Sequence, residues 1–236
     1  MKLIRLTCLL VFATFAGVAS AELPWQFEQH TRYMAMGDSL AAGYGATPAT
    51  NGYAYLLYTG GAFDRVPNTL LSNVGVPGAT SNDVLAYQVP LAVQAFKPQA
   101  VTLTVGGNDL LSILNGADPY VVLPDFGTNL WQILGALCEG LPGAAIYVSN
   151  LYTVPLPGVD LVDVVVPMFN DVVAQVAAGV SSSGCDVQLV DIYGAFQNRN
   201  GLLLIERRQS SLFEVHPTNA GYRVMARTFM KVIEAE

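Results

Sequence analysis

Short runs of apolar and β-branched residues, bounded by Gly, Pro or Asn, alternate along the chain with longer stretches whose apolar residues recur at helical spacing. The short runs fall at 32–36, 70–74, 100–105, 145–149 and 188–192 and read as strands. Helical periodicity marks 52–59, 82–87, 91–96, 121–139, 162–180 and 219–236, with Pro and Gly punctuating the ends. Five strands separated by helices predict a parallel sheet covered on both faces, a doubly wound α/β sandwich. No internal repeat, low-complexity linker or domain boundary interrupts the pattern; Pro155-Leu156-Pro157-Gly158 reads as a loop before a helix.

In such sheets ligands bind beyond the carboxyl ends of the strands. The Gly-Asp-Ser turn, 75–80 and 106–109 all fall there. Met34-Ala35-Met36 runs into Gly37-Asp38-Ser39-Leu40, a corner that would present the Ser39 hydroxyl as a nucleophile, although four residues alone recur easily by chance. In Val76-Pro77-Gly78-Ala79-Thr80 a glycine can offer its amide N–H with no side chain in the way, which suits an oxyanion hole and equally suits a plain turn. In Gly106-Gly107-Asn108-Asp109 the Asn108 amide can donate to a developing oxyanion, while Asp109 is better suited to capping. Last comes His216, in a loop before an amphipathic helix. An imidazole titrating near neutrality can shuttle a proton there, but the position also fits a surface or helix-entry residue. The other histidine, His30, precedes the first strand, at the opposite end from Ser39.

The N-terminus changes the length to be explained. Lys2 and Arg5, an apolar run from Leu6 to Val18 and Ala19-Ser20-Ala21 form a secretory signal peptide, residues 1–21, cleaved after Ala21. The run is shorter than the roughly 20 residues of a spanning helix and has no charged flank after it. Cys8 lies too early for a lipoprotein signal. Residues 22–236 then form a single domain, secreted or periplasmic, with no stable membrane insertion expected. Loss of Lys2 and Arg5 takes the formal charge from −7 to −9.

With 52% hydrophobic and 12% charged residues, the chain can bury a large core and is not disordered. Its few cations are scattered, apart from Arg207-Arg208, which excludes nucleic acid as a partner. Two cysteines, Cys138 and Cys185, remain after cleavage, and in an oxidising compartment they are expected to pair, the alternative being two buried thiols. Neither histidine stands at ligand spacing from them, so no metal site is expected.

Taken in order, these segments resemble the SGNH hydrolases of the GDSL lipase and esterase family over nearly the whole mature chain. Gly37-Asp38-Ser39-Leu40, Gly78, Gly106-Gly107-Asn108-Asp109 and His216-Pro217 look like its four blocks. The resemblance implies a three-layer α/β/α fold of the flavodoxin-like kind, no cofactor, and hydrolysis of small ester or acyl substrates. It makes Ser39 the nucleophile, His216 the base, and Ser39, Gly78 and Asn108 the oxyanion donors.

One position departs from the family pattern. Where an Asp usually stands three residues before the histidine, this chain has Phe213. Glu214 is a candidate third member; a Ser-His dyad oriented by a main-chain carbonyl is the preferred reading. Tyr44, Tyr53, Tyr55 and Tyr58 follow the nucleophile and could line a cleft or pack the first helix. Apolar composition favours uncharged esters of short or medium chains, with acetylated polysaccharide, lysophospholipid and thioester substrates open. Two other classes compete: a non-catalytic exported or cell-envelope binding protein, motivated by Phe213, and a flavin or nucleotide binder, disfavoured because no phosphate loop follows the first strand.

Overall fold

Alternation along the strands sends side chains to two separate cores. The computed structural model describes residues 29–154, 161–197, 199 and 215–235. The predicted signal peptide, the Pro155–Gly158 loop, Phe213 and Glu214 lie outside them. Strands β1 (Thr31–Gly37), β2 (Thr69–Asn73), β3 (Ala100–Thr104), β4 (Ala145–Ser149) and β5 (Val187–Val190) form one parallel sheet in the order β2-β1-β3-β4-β5. On β1, Met34 and Met36 enter one core while Tyr33 and Ala35 enter the other. On β4, Ile146 and Val148 oppose Ala145 and Tyr147 in the same way.

Helices supply the outer layers. After β1 come α1 (Ser39–Ala42) and α2 (Tyr53–Gly60); after β2, α3 (Ser81–Asp83) continues into π-helical stretches at Val84–Gln88 and Leu91–Phe96. After β3 come α4 (Gly107–Leu114) and α5 (Pro119–Gly140); α6 (Leu161–Ser181) joins β4 to β5, and α7 (Ile192–Phe196) and α8 (Asn219–Ile233) end the fold. One core is closed by the segment after β2 with α4, α5 and α6, through Val84, Ile113, Phe126, Leu130, Phe169 and Val173. Across the sheet α2, α7 and α8 close the second with Tyr53, Leu57, Ile192, Tyr222 and Phe229. By length and composition α6 could cross a bilayer, yet its stripe of Val165, Val166, Phe169, Val173 and Ala177 is buried in the first core.

The five predicted strands are present, within a residue or two of the expected bounds. β5 stops earlier because the Asp191 carboxylate accepts the Gly194 N–H at 2.9 Å, so Ile192 opens a helix instead of ending a strand. α4 escapes a periodicity reading: it has eight residues and opens on Gly107-Asn108-Asp109, a sequence with the composition of a turn. α5 begins where capping rules put it, with Asp118 accepting the Tyr120 N–H and Pro119 in the first turn.

Cys138, near the end of α5, is disulfide-bonded to Cys185 just before β5, the pairing expected from the sequence. Both cysteines lie toward the amino ends of the strands, away from the Ser39 corner. The bridge closes 47 residues of sequence and by loop entropy stabilises the fold by about 4 kcal/mol. Replacing both cysteines with alanine should therefore lower unfolding free energy in urea by about 2–4 kcal/mol. The Ser39 corner should keep its conformation, because it lies at the opposite ends of the strands.

Candidate active site

At the carboxyl end of β1 the chain makes a corner that only glycine tolerates at its first position. Gly37 has φ +126°, and a Cβ there would collide with the carbonyl oxygen of Thr104 on β3. That close approach lets Asp38 N–H donate to the Thr104 carbonyl at 3.0 Å and extends the β1–β3 pairing by one bond. On its other side Gly37 accepts from Val76 N–H at 3.0 Å, while the Gln88 side-chain amide bonds both its N–H and its carbonyl.

Ser39 then opens α1 with Asp38 as the N-cap, whose Oδ1 accepts from Leu40 N–H at 2.9 Å and from the Thr104 hydroxyl at 3.2 Å. Asp38 is almost fully buried, and that burial pushes its carboxyl from the usual 3.8 up to about 7; the bonds from Leu40 and Thr104 pull the other way. The sequence predicts a corner that presents the serine at a strand end; the short helix that Ser39 opens is added by the structure.

The second loop is fastened to that corner. Asn73 donates from Nδ2 to the Ala41 carbonyl at 2.7 Å and accepts from Gly75 N–H at 3.0 Å, so the chain after β2 lies against α1. A Cβ on Gly75 would meet Ala42 N at 2.6 Å, so only glycine fits. Gly78 is different: space around it is open, but its φ of +88° places it in left-handed backbone.

Asn108 sits in the first turn of α4, and its Nδ2 donates to the Ala79 carbonyl at 2.8 Å. An amide nitrogen carries two hydrogens, so the same group can still donate into the space beside Ser39. Asp109 does cap a helix, though not its own. Its carboxylate accepts from the Ser81 hydroxyl at 2.6 Å and Ser81 N–H at 3.0 Å, joining the start of α3 to the start of α4. Its carboxyl is raised by burial and lowered by those same bonds. Asn129 of α5 completes the network by donating to the Ser81 oxygen at 3.0 Å.

The third segment arrives from the far end of the chain. His216 Nε2 lies 2.8 Å from Ser39 Oγ, across 177 residues of sequence. Several contacts hold the loop. Tyr152 OH donates to the Val215 carbonyl at 2.6 Å, Tyr222 OH donates to the Tyr44 carbonyl at 2.7 Å, and the Asn219 side chain bonds Thr47 N–H and carbonyl at 3.0 and 2.6 Å. The Tyr44 ring packs on the imidazole with centroids 4.5 Å apart. His30 stays at the start of β1, as expected. Of the four tyrosines, only Tyr44 reaches the cleft; Tyr53, the first residue of α2, is wholly buried against the sheet and bonds Thr102.

Ser39, Gly78, Asn108 and His216 line one cavity of about 290 Å³. Most of its remaining wall is aliphatic, with Leu110, Leu111 and Leu114 of α4, Leu151 and Val154 after β4, and Val166 of α6, and Asp38, Tyr44 and Tyr152 also line it. Sequence reading did not single out that wall or Tyr152, although the spacing of the α4 leucines carried a signal for it. A hydroxyl bonded to an imidazole, beside backbone and amide donors and an apolar channel, can perform acyl transfer without a metal ligand.

The fold recurs in solved structures. A lipolytic protein of the G-D-S-L family from Veillonella parvula superposes with a TM-score of 0.65 at 21% identity, covering 87% of this chain and 100% of its own. An alpha/beta hydrolase enzyme from the metagenome of Lake Arreo, Spain, gives 0.66 at 24% identity over 86% and 95%. An acetylxylan esterase from Geobacillus stearothermophilus gives 0.66 at 22% identity over 88% and 97%. No curated protein sequence matches this chain. Residues 35–224, which carry all four motif segments from Ser39 to His216, match the model of the GDSL-like lipase/acylhydrolase family, and the chain belongs to that family.

Proposed function

We propose that this family member is an exported serine esterase that hydrolyses uncharged carboxylic esters of medium chain length through an acyl-enzyme on Ser39. The 2.8 Å contact between His216 Nε2 and Ser39 Oγ, at the mouth of an aliphatic cavity, carries the reading. His216 takes the hydroxyl proton as Ser39 Oγ attacks the acyl carbonyl, and the electron pair moves to the carbonyl oxygen. The Ser39 and Gly78 amides and the Asn108 side chain hold that oxyanion. Collapse expels the alcohol, protonated by the imidazolium; water then attacks the acyl-enzyme by the same route and frees the acid. The Cys138–Cys185 disulfide supports export to an oxidising compartment. Whether a carboxylate completes the set turns on Glu214, outside the described residues; we favour the dyad, with a main-chain carbonyl orienting His216.

Leucine and valine side chains make up much of the cavity wall, and among the described residues no lysine or arginine lines it. An acyl chain entering it leaves water at roughly 0.8 kcal/mol per methylene, whereas a bare acetyl group would leave the wall unused. Asp38 is the group that could oppose catalysis, since a carboxylate beside Ser39 would repel the developing oxyanion. Burial lessens that by keeping the carboxyl protonated well above the usual carboxylate range, with half of it still neutral at a pH of about 7.

Three outcomes follow from this chemistry. Ser39→Ala and His216→Ala should nearly abolish turnover of p-nitrophenyl esters, and Asn108→Ala should lower kcat by about 100-fold with little change in KM; a serine-directed organophosphonate that fails to label wild-type Ser39 would sink the enzyme reading. Across a series from acetate upward, kcat/KM should rise about fourfold per methylene until the cavity is full, and a maximum at acetate would contradict the aliphatic pocket. Because the folded Asp38 carboxyl titrates above its unfolded value, its contribution to stability is fully present in acid and is lost as pH rises from 3.8 to about 7. Asp38→Asn mimics the neutral acid, so the difference in unfolding free energy between it and wild type should grow over that window, read from urea melts at each pH.

A further inference from the structure

Gln88 is a polar side chain in an apolar core, 3% exposed, at the end of the π-helical stretch Val84–Gln88. It does not line the cavity and touches none of the reacting groups. Its amide makes a two-point contact with a single residue: Gly37 N–H donates to Oε1 at 2.7 Å, and Nε2 donates to the Gly37 carbonyl at 2.8 Å. The reason lies in the strand pairing. β1 pairs with β2 only as far as Ala35, opposite Asn73, and beyond it the chain after β2 gives Gly37 a single main-chain bond, from Val76 N–H to its carbonyl. A primary amide presents one donor and one acceptor side by side, as a strand would, and Gln88 supplies the acceptor for the Gly37 N–H that β2 no longer gives, together with a second donor to its carbonyl.

The clamped peptide stands between the two halves of the oxyanion hole. The Gly37 carbonyl also accepts Val76 N–H, two residues before Gly78, while Asp38 N–H, next along the chain, is fixed to the Thr104 carbonyl just before Ser39. Rotation of the Gly37 peptide would move the Ser39 amide and the Gly78 loop relative to each other. Wide π-helical turns occur often at functional sites, and here one ends on the residue that reaches β1. Resting on the esterase reading above, we infer that Gln88 is a positioning residue for ester hydrolysis, acting through the Gly37 peptide to align the Ser39 and Gly78 amide donors.

The experiment uses the full chain and p-nitrophenyl esters, with an alkyl boronic acid as a mimic of the tetrahedral adduct. Gln88→Leu removes both hydrogen bonds at similar volume; it should lower kcat by about 100-fold with KM within about twofold, and weaken the boronic acid by the same factor as kcat/KM. Gln88→Glu keeps an acceptor for Gly37 N–H but sets its second oxygen against the Gly37 carbonyl unless it is protonated. Its rate relative to wild type should therefore climb as pH falls from about 8 to 5, with Asp38, the titratable group beside the Gly37 peptide, present in both proteins. If the leucine variant does not fold, this ratio alone decides. Variants that turn over like wild type, a flat Gln88→Glu ratio, or a uniform loss in kcat and stability without weaker boronic acid binding would overturn the inference. A wild type that hydrolyses no ester and takes no organophosphonate label overturns the esterase reading and this inference with it.

Discussion

The main-chain hydrogen bonds at Gly37 and Asp38 are the constraint on which the rest of the site depends. A strand that simply ended there would leave its last peptide groups unpaired beneath a catalytic loop, at a cost of about 1–3 kcal/mol for each buried group. Instead Gly37 and Asp38 are bonded from three directions, by Thr104 of β3, by Val76 beyond β2 and by Gln88 from the segment after it. Glycine is required because the Thr104 carbonyl occupies the place of a side chain. The corner is therefore rigid for reasons of packing and pairing, and Ser39 inherits that rigidity as the first residue of a helix capped by Asp38.

The other elements of the site are held by the same kind of bond between distant segments. Asp109 and Ser81 join the loop bearing Asn108 to the loop bearing Gly78, and Asn73 ties the latter to α1. His216 is brought in by tyrosine hydroxyls and by Asn219, whose amide clamps Thr47 as Gln88 clamps Gly37. Two side-chain amides thus do for loops what a strand does for its neighbour. All the buried side-chain polar atoms among the described residues are partnered, which is what makes a polar lattice above an apolar core stable and specific.

Much of this was legible in the chain. The strand runs could be placed because a parallel sheet buried on both faces demands uninterrupted apolar residues, and Met34, Met36, Val101, Leu103, Ile146 and Val148 supply them. Ser39, Gly78, Asn108 and His216 could be found because each stands in a segment whose composition is chemically suggestive and whose order resembles a known family. α4 was missed because its first turn is written in turn residues. Asp109 suits capping of a helix after its turn, and it instead bonds Ser81 at the start of α3 because the loops after β3 and β2 meet at the carboxyl ends of the strands.

The periodicity of apolar residues was enough, by itself, to determine the class of fold and the side of the sheet on which ligands bind, since both follow from local repeats and from the parallel connection rule. It could not determine that an amide from residue 88 bonds residue 37, that Asp38 is buried deeply enough to titrate near neutrality, or that the leucines of α4 face Ser39 across a cavity. Those are decided only when strand order brings segments with no sequence relation to one edge, because hydrogen-bond partners and desolvation depend on distances in space and not on spacing along the chain.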